Sequence, residues 1–474
     1  MMQLKEFREY AHQLVDWMAD YFENIEDYPV KAQVKPGEIF DQLPSAPPQV
    51  GENMDTILED FSKIILPGMT HWQSPNFHAY FPANASYPSQ LAEMLTSALA
   101  SQCMIWDTSP AAAELEEQMM NWLKKMTGLP ESWSGVIHDG ASTATLTAIL
   151  TAREKISNFN INKIGFSNTH KFRIYCSTEA HSSVEKAIRI AGIGDQNLVK
   201  VSTDANLAMN PTALEKAVID DINTGFIPLC VITAIGTTGT TAIDPLAQIG
   251  NICERHNIWL HVDAAYAGTA LVLPEYRWMI NGIEKVDSFV FNPHKWMFTH
   301  FDCTAYFVKD QDALIKTFTI LPEYLKTTSR GQVKDYRDWG IPMGRRFRAL
   351  KLWFVIRSFG IEGIQEKIRH HIKLAEQFEE NVKQHPEFAI MAERTMNVVF
   401  FRFQPSGAED QAKLNELNQK LINEINSDGR IFLTHTKVNG DIILRMVIAQ
   451  TYVEEKHIQK AWKVIQEKSL SFFN

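Results

Sequence analysis

Residues 258–265 read IWLHVDAA and residues 288–296 read SFVFNPHKW. Each opens as an apolar, strand-like run and closes on chemistry. The first ends at Asp263, followed by the small Ala264 and Ala265. The second turns at Asn292-Pro293 and delivers His294, Lys295 and Trp296. Runs this apolar belong inside a sheet covered on both faces, not at its edge. A lysine just past one strand and an aspartate at the end of another are what pyridoxal phosphate chemistry needs. The amine forms a Schiff base with the cofactor aldehyde, and the carboxylate keeps the pyridine nitrogen protonated so that the ring accepts electrons. Trp296 and Phe298 would shield the amine, and desolvation lowers a lysine pKa. Taken alone, Lys295 also reads as a solvated lysine and Asp263 as a helix cap.

Outward from these runs, the stretch 77–356 alternates helical patterns with short β-branched segments. Examples are 172–176, 198–201, 229–234 and 304–308. That alternation predicts an α/β fold with a mostly parallel sheet. A phosphate needs a cradle, and Gly140-Ala141-Ser142-Thr143 runs from Val136-Ile137 into a helix predicted over 144–155. Small residues entering a helix N-terminus expose N–H groups and hydroxyls to an anion, although a plain Ser/Thr cap reads the same way. Asn292 and His294 could reach the same phosphate. His181 follows a strand and precedes a helix, at the sheet edge where open α/β sheets bind ligands. An imidazole there can stack on a ring or exchange protons. Thr238 sits in a similar strand-end loop, Gly236-Thr237-Thr238-Gly239.

Three domains are expected. Residues 1–77 form a helical arm: Leu4, Phe7, Ala11, Leu14, Val15 and Met18 share one helical face, and a Pro-rich stretch leads to a second helix over 54–65. Such an arm makes a poor domain alone and is expected to pack on a second copy of the chain. Residues 78–356 form the large domain. Residues 357–474 form a small α+β domain, with helices over 363–384 and 453–467 and strands over 398–403 and 442–448.

The 474 residues carry a net charge of −10, which disfavours a non-specific nucleic-acid or anionic-membrane surface. Five cysteines (Cys103, Cys176, Cys230, Cys253, Cys303) never form a CxxC pair, as expected in a reducing compartment. No apolar run approaches the ~18 residues of a membrane span. Glu6, Glu9, Asp16 and Asp20 are foreign to a transit peptide. A cytoplasmic enzyme is expected. Residues 191–194 lack the dinucleotide fingerprint, no HExxH or Walker motif occurs, and no metal is assigned.

Together, residues 140–153 (GASTATLTAILTAR), 180–187 (AHSSVEKA), 261–268 (HVDAAYAG), 291–296 (FNPHKW) and 341–348 (IPMGRRFR) resemble the group II PLP-dependent amino-acid decarboxylases. Within them, the aromatic-L-amino-acid branch is nearest. The resemblance runs to about residue 403. It implies the aspartate-aminotransferase fold (fold type I) and a homodimer with the active site at the interface. It makes Lys295 the Schiff-base lysine, Asp263 the pyridinium partner and His181 the ring-stacking histidine. Ala141, Ser142, Asn292 and His294 fall on cofactor-binding positions, and Thr238 and Ala265 flank the ring. Tyr324 matches the tyrosine of a mobile loop that protonates the carbanion after CO₂ leaves. Trp72, Tyr80, Phe81, Ala83, Gln102, Met104, His181 and Gly344 fall on the substrate side.

Ala83 departs from the threonine of the animal enzymes, and Gln102 and Met104 depart from the isoleucine and phenylalanine that the neighbouring subunit presents to their pocket, which makes the aromatic pocket more polar and more adaptable. Gly344 resembles the dopa- and indole-type enzymes. The expected reaction is decarboxylation of dopa, 5-hydroxytryptophan, tryptophan or phenylalanine, over histidine and glutamate. Two alternatives share the scaffold. An aldehyde synthase replaces the loop tyrosine or the stacking histidine, and this chain keeps both. An aminotransferase needs a carboxylate-gripping arginine, for which Arg445 is the candidate. Arg337, just after the loop, reads as catalytic or as a hinge anchor.

Overall fold

The computed structural model describes residues 2–166, 170–320, 332–407 and 410–472. The chain divides into two compact units. One comprises Ala83–His370 with Ala392–Met396; the other comprises Met1–Pro82, His371–Met391 and Asn397–Asn474.

The first unit is built on a seven-stranded sheet in the order β1-β7-β6-β5-β4-β2-β3. Its strands are β1 (Ser134–His138), β2 (Phe172–Ser177), β3 (Leu198–Val201), β4 (Ile227–Ala234), β5 (Trp259–Asp263), β6 (Ser288–Phe291) and β7 (Thr304–Val308). From β3 to β6 all pairings are parallel, while β7 runs antiparallel to both β6 and β1. The central strands are uniformly apolar because both faces are covered, and Val262, Phe289, Val290 and Phe291 are fully buried. The helix Ala141–Ile156 packs across β1 and β4–β7. Its buried face is rich in Ala and Thr, including Ala144, Thr145, Thr147, Ala148 and Thr151, so the helix approaches the sheet closely.

The parallel register sets the site. Ala234 pairs with Asp263 and Asp263 with Val290, so β4, β5 and β6 end together. Glycine is required just beyond. A Cβ on Gly268 would lie 2.4 Å from Cβ of Phe291, and one on Gly236 (φ +81°) would lie 2.6 Å from Cβ of Ala267.

The second unit carries a four-stranded antiparallel sheet in the order β10-β11-β9-β8. Its strands are β8 (Phe388–Ile390), β9 (Val398–Phe403), β10 (Thr434–Val438) and β11 (Asp441–Val447). Asn439 and Gly440 both have positive φ (49° and 88°), which gives the two-residue turn that joins β10 to β11. The helices Gln411–Asp428 and Glu455–Leu470 cover the sheet over a core of Leu421, Ile425, Leu444, Met446 and Ile465. The N-terminal residues belong to this same unit. Val30 is buried with Phe77, Ala79 and Phe432, and its N–H donates to the carbonyl of Gly429 (2.8 Å). The helix Leu4–Glu23, by contrast, has no buried residue.

Candidate active site

Asp263 is the last residue of β5. Its Oδ1 accepts from the Ala265 N–H (3.0 Å) and its carbonyl from the Ile235 N–H (3.0 Å), which fixes the carboxylate at the strand end. Beyond the strands, the ladder continues: Ala264 N–H donates to the Val290 carbonyl (2.9 Å) and Asn292 N–H to that of Ala265 (2.9 Å). Lys295 follows on the short helix Pro293–Trp296, with its N–H bonded to the Asn292 carbonyl at 2.9 Å. Trp296, Met297 and Phe298 are fully buried, and Trp296 stacks on Tyr266 with ring centroids 5.0 Å apart. The lysine stem therefore rises from a rigid apolar floor.

His181 lies in the loop after β2. Its Nδ1 accepts from the Ser183 N–H (3.2 Å), so in the neutral ring the proton sits on Nε2. The ring keeps an accessible face, yet the surrounding protein disfavours its charged form. Burial lowers its pKa, the Lys295 ammonium acts in the same direction, and the Asp263 carboxylate opposes them. His181 thus lies within electrostatic reach of both Asp263 and Lys295. Sequence reading had reached each of the three by a separate argument.

The helix Ala141–Ile156 begins at Gly140 in extended conformation (φ −159°), and no side chain caps it. Its first N–H groups, at Ala141, Ser142 and Thr143, are therefore offered to an anion. Buried His294 uses Nδ1 to accept from the Cys303 N–H (3.0 Å), and burial with the nearby Lys295 charge pushes its pKa down to about 3. It is a neutral Nε2–H donor. Asn292 is 3% exposed, and its Oδ1 has no hydrogen-bond partner among the described residues. Thr238 is exposed in the loop after β4. That loop is shaped by Thr237, whose Oγ1 accepts from the Ala242 N–H (3.0 Å). An uncapped helix end, a buried Nε2–H donor at His294, an anchored carboxylate and a half-buried lysine are the donor and acceptor set that pyridoxal phosphate requires. The residues present fit that group.

Sequence reasoning missed Asp244, which is 2% exposed. Its Oδ2 accepts from the Ala234 N–H and its Oδ1 from the Met209 N–H, both at 2.7 Å, tying the Thr238 loop back to β4. It also missed the buried pair Arg345–Glu116. Arg345 Nη2 reaches Glu116 Oε1 (2.5 Å) and the Ile137 carbonyl (3.1 Å), while the same Oε1 accepts from the Ile137 N–H (2.8 Å). Both polar groups of Ile137 are thereby held where β1 leads toward Gly140. No local sequence signal announces a pair formed 229 residues apart.

On the substrate side, the segment with Gln102 and Met104 is strapped to the segment 335–345. Cys103 N–H donates to the Arg345 carbonyl (2.9 Å), Arg337 N–H to the Met104 carbonyl (2.9 Å) and Arg345 N–H to Gln102 Oε1 (2.7 Å). Gly344 lies against Gln102. Ala83 adjoins the lysine turn, since the next N–H, of Asn84, donates to the His294 carbonyl (2.7 Å). The Arg337 side chain is 1% exposed, and its Nε lies 3.5 Å from Asp338 Oδ1. Trp72, Tyr80 and Phe81 belong to the other unit. There, Trp72 packs on Phe77 and Tyr80, with centroids 4.5 and 5.9 Å apart. The Arg445 guanidinium lies 5.2 Å over the Phe81 ring and bonds Thr434 Oγ1 at 3.2 Å. Tyr324 lies outside the described residues.

Comparison with known proteins supplies the family. The model for the pyridoxal-dependent decarboxylase conserved domain matches residues 36–404. The chain is 44% identical to phenylacetaldehyde synthase of Arabidopsis thaliana, over 99% of this chain and 96% of that protein. It is 42% identical to tyrosine decarboxylase 2 of Narcissus pseudonarcissus, over 99% and 95%. The crystal structure of Catharanthus roseus tryptophan decarboxylase in complex with L-tryptophan superposes with a TM-score of 0.93. It is 39% identical and covers 99% of both chains. An aspartate that ends β5 and a lysine just past the end of β6, within a domain matched over most of the chain, leave one assignment: the chain belongs to the pyridoxal-dependent decarboxylases of fold type I, and its cofactor is pyridoxal 5′-phosphate.

Proposed function

We propose that the protein is a cytoplasmic, homodimeric decarboxylase that converts aromatic L-amino acids to their amines and CO₂. The observation that carries this reading is the parallel register of β5 and β6, which sets the anchored Asp263 carboxylate beside the turn that carries Lys295. The substrate class is supported by the tyrosine decarboxylase and phenylacetaldehyde synthase relatives and by the structure complexed with L-tryptophan.

When bound, pyridoxal phosphate supplies an aldehyde for the substrate amine and a ring that takes up the electron pair left at Cα. Lys295 would carry it between turnovers. Asp263, already anchored by the Ala265 N–H, would hold a proton on the ring nitrogen. His181, kept neutral, would lie against the ring, with Thr238 and Ala265 flanking it. The N–H groups at Ala141 and Ser142, the Ser142 hydroxyl, Asn292 and His294 would hold the phosphate. Tyr324 would protonate Cα. The substrate-side roles of Trp72, Tyr80, Phe81, Ala83, Gln102, Met104 and Gly344 rest on the family resemblance alone.

A second copy is supported by apolar surface. Leu4, Phe7, Leu14 and Val15 of the helix Leu4–Glu23 are exposed, as are Leu91, Leu95 and Leu99 of the helix Tyr87–Leu99. Faces of this kind mark association sites. The cytoplasmic placement is supported by five free, buried thiols.

The 44% identity to a phenylacetaldehyde synthase gives a rival reading some footing. That reaction consumes O₂ and water and yields aldehyde, CO₂, ammonia and hydrogen peroxide. Mass spectrometry of products from an equimolar mixture of aromatic amino acids, histidine and glutamate separates the two. Amines from one or two aromatic substrates are expected. Aldehyde with stoichiometric peroxide would replace the decarboxylase reading with the synthase one.

A further inference from the structure

We propose that Asp244 is a positioning residue for the cofactor site: it fixes the end of β4 and, through it, the Asp263 carboxylate. The inference rests on the role given to Asp263 above.

Asp244 closes the loop that leaves β4 at Ala234 and carries Thr238. Its carboxylate is 2% exposed and accepts from two backbone N–H groups at 2.7 Å each, Oδ2 from Ala234 and Oδ1 from Met209. Met209 lies in the loop after β3, so the loops after β3 and β4 share one anchor. The Asp244 N–H also donates to the Ala234 carbonyl (3.0 Å), and residues 234 and 244 are therefore bonded twice. Inside that closure Ile235 and Ile243 form a bridge, and the Gly236 and Thr237 N–H groups both donate to the Ala242 carbonyl (2.9 and 3.0 Å). Beyond it, Thr241 Oγ1 lies 3.0 Å from Thr395 Oγ1.

Only a carboxylate serves at this place. Both of its oxygens accept, whereas an asparagine offers one acceptor and one N–H donor. One backbone N–H would then face another donor in the interior, with no water to turn to. Burial raises the Asp244 pKa to about 6, so both acceptors are in place at neutral pH.

The path from Asp244 to Asp263 is short. Ala234 pairs with Asp263 across β4 and β5, and the next residue, Ile235, donates its N–H to the Asp263 carbonyl (3.0 Å). Asp263 thus hangs from the stretch of β4 that Asp244 clamps. Its carboxylate is held in turn by the Ala265 N–H (3.0 Å). A shift of about 1 Å in a group that must meet a reacting ring is enough to lower a rate by about 100-fold.

The test is a double-mutant cycle on the full chain, with Asp244→Asn and Asp263→Asn made singly and together. One readout is the Kd of the cofactor-free protein for pyridoxal phosphate, by equilibrium dialysis. The other is the rate of CO₂ release by the loaded protein from an equimolar mixture of phenylalanine, tyrosine, dopa and tryptophan. Asp244→Asn alone should weaken cofactor binding and lower the rate, each by roughly tenfold or more. On the Asp263→Asn background it should change either by less than about twofold, because the charge it positions is gone. Losses that multiply in the double variant, as a merely structural role would give, or wild-type values for Asp244→Asn would overturn the proposal. If Asp244→Asn does not fold, Thr237→Val takes its place with the same expected pattern, since it removes the acceptor for the Ala242 N–H. Wild-type values for Asp263→Asn would refute the role of Asp263 and the positioning role with it. If the wild-type protein releases no CO₂, the aromatic decarboxylase reading fails, and the Kd cycle still decides the role of Asp244.

Discussion

At the scale of single residues, Asp263 and Gly236 show two ways in which a side chain is determined. Asp263 is recognisable in the sequence because an acid closing an apolar strand has few reasons to be there. Gly236 is recognisable only in three dimensions, where the approach of Ala267 excludes any Cβ. Lys295, His181, Ser142, Thr238 and Asn292 were legible because each follows a strand or opens a helix. Asp244, Glu116 and Arg345 were not, because their roles come from partners far along the chain. For Asp263 the structure separates charge from geometry. The Asp263→Asn substitution keeps a side-chain oxygen to accept from the Ala265 N–H while removing the negative charge. It should therefore leave the melting temperature nearly unchanged and lower kcat by at least about 100-fold, the scale of removing one preorganised electrostatic contact. Paired kinetics and thermal melts check this, and a variant that retains wild-type kcat would remove Asp263 from the chemistry.

At the scale of elements, legibility followed hydrophobic pattern. The strands β2 to β7 appear within two residues of their expected bounds because continuous apolar runs between helices have no other stable use. β1 was visible only as Val136-Ile137. β8, with three residues, and β10, an edge strand of alternating exposure, gave too little apolar signal to be expected. Yet the joint between β10 and β11 was written in the chain. Asn439-Gly440 between alternating residues is a strong short-range sign of a two-residue hairpin turn. The order of strands, and the reversal of β7, follow from long-range pairing that local pattern does not encode. The hairpin carries its own prediction. Gly440 sits at φ +88°, where a Cβ is strained, so Gly440→Ala should destabilise the fold by about 1–2 kcal/mol, read as a lower urea midpoint. An unchanged midpoint would mean that the turn relaxes to another type at no cost.

At the scale of the whole molecule, buried histidines set the response to acid. His78, His138, His261 and His294 are each at most 4% exposed. Burial pushes their pKa values down, to about 3 for His78, His138 and His294 and about 4 for His261. A histidine held neutral in the fold takes up a proton on unfolding at any pH below about 6.5. Its stabilising effect is therefore complete above that pH and is lost as pH falls through about 6.5 toward about 4, at up to about 1.4 kcal/mol per pH unit for each ring. Asp244, raised to about 6 by burial, and Asp287, also raised by burial, work in the opposite direction between their unfolded and folded values, but they are two groups against these four rings. The melting temperature should thus drop clearly between about pH 7.5 and about pH 5. A flat profile would mean that these rings are solvated or paired in solution.

The central claim is that Lys295, on the short helix after β6, holds the cofactor of this decarboxylase. Borohydride reduction of the loaded protein, followed by proteolysis and peptide mass mapping, tests it directly by fixing the cofactor on the amine that carries it. The account predicts a single pyridoxyl-modified peptide whose fragment ions place the label on Lys295. A label on another lysine, or none on a protein that turns over substrate, would contradict it.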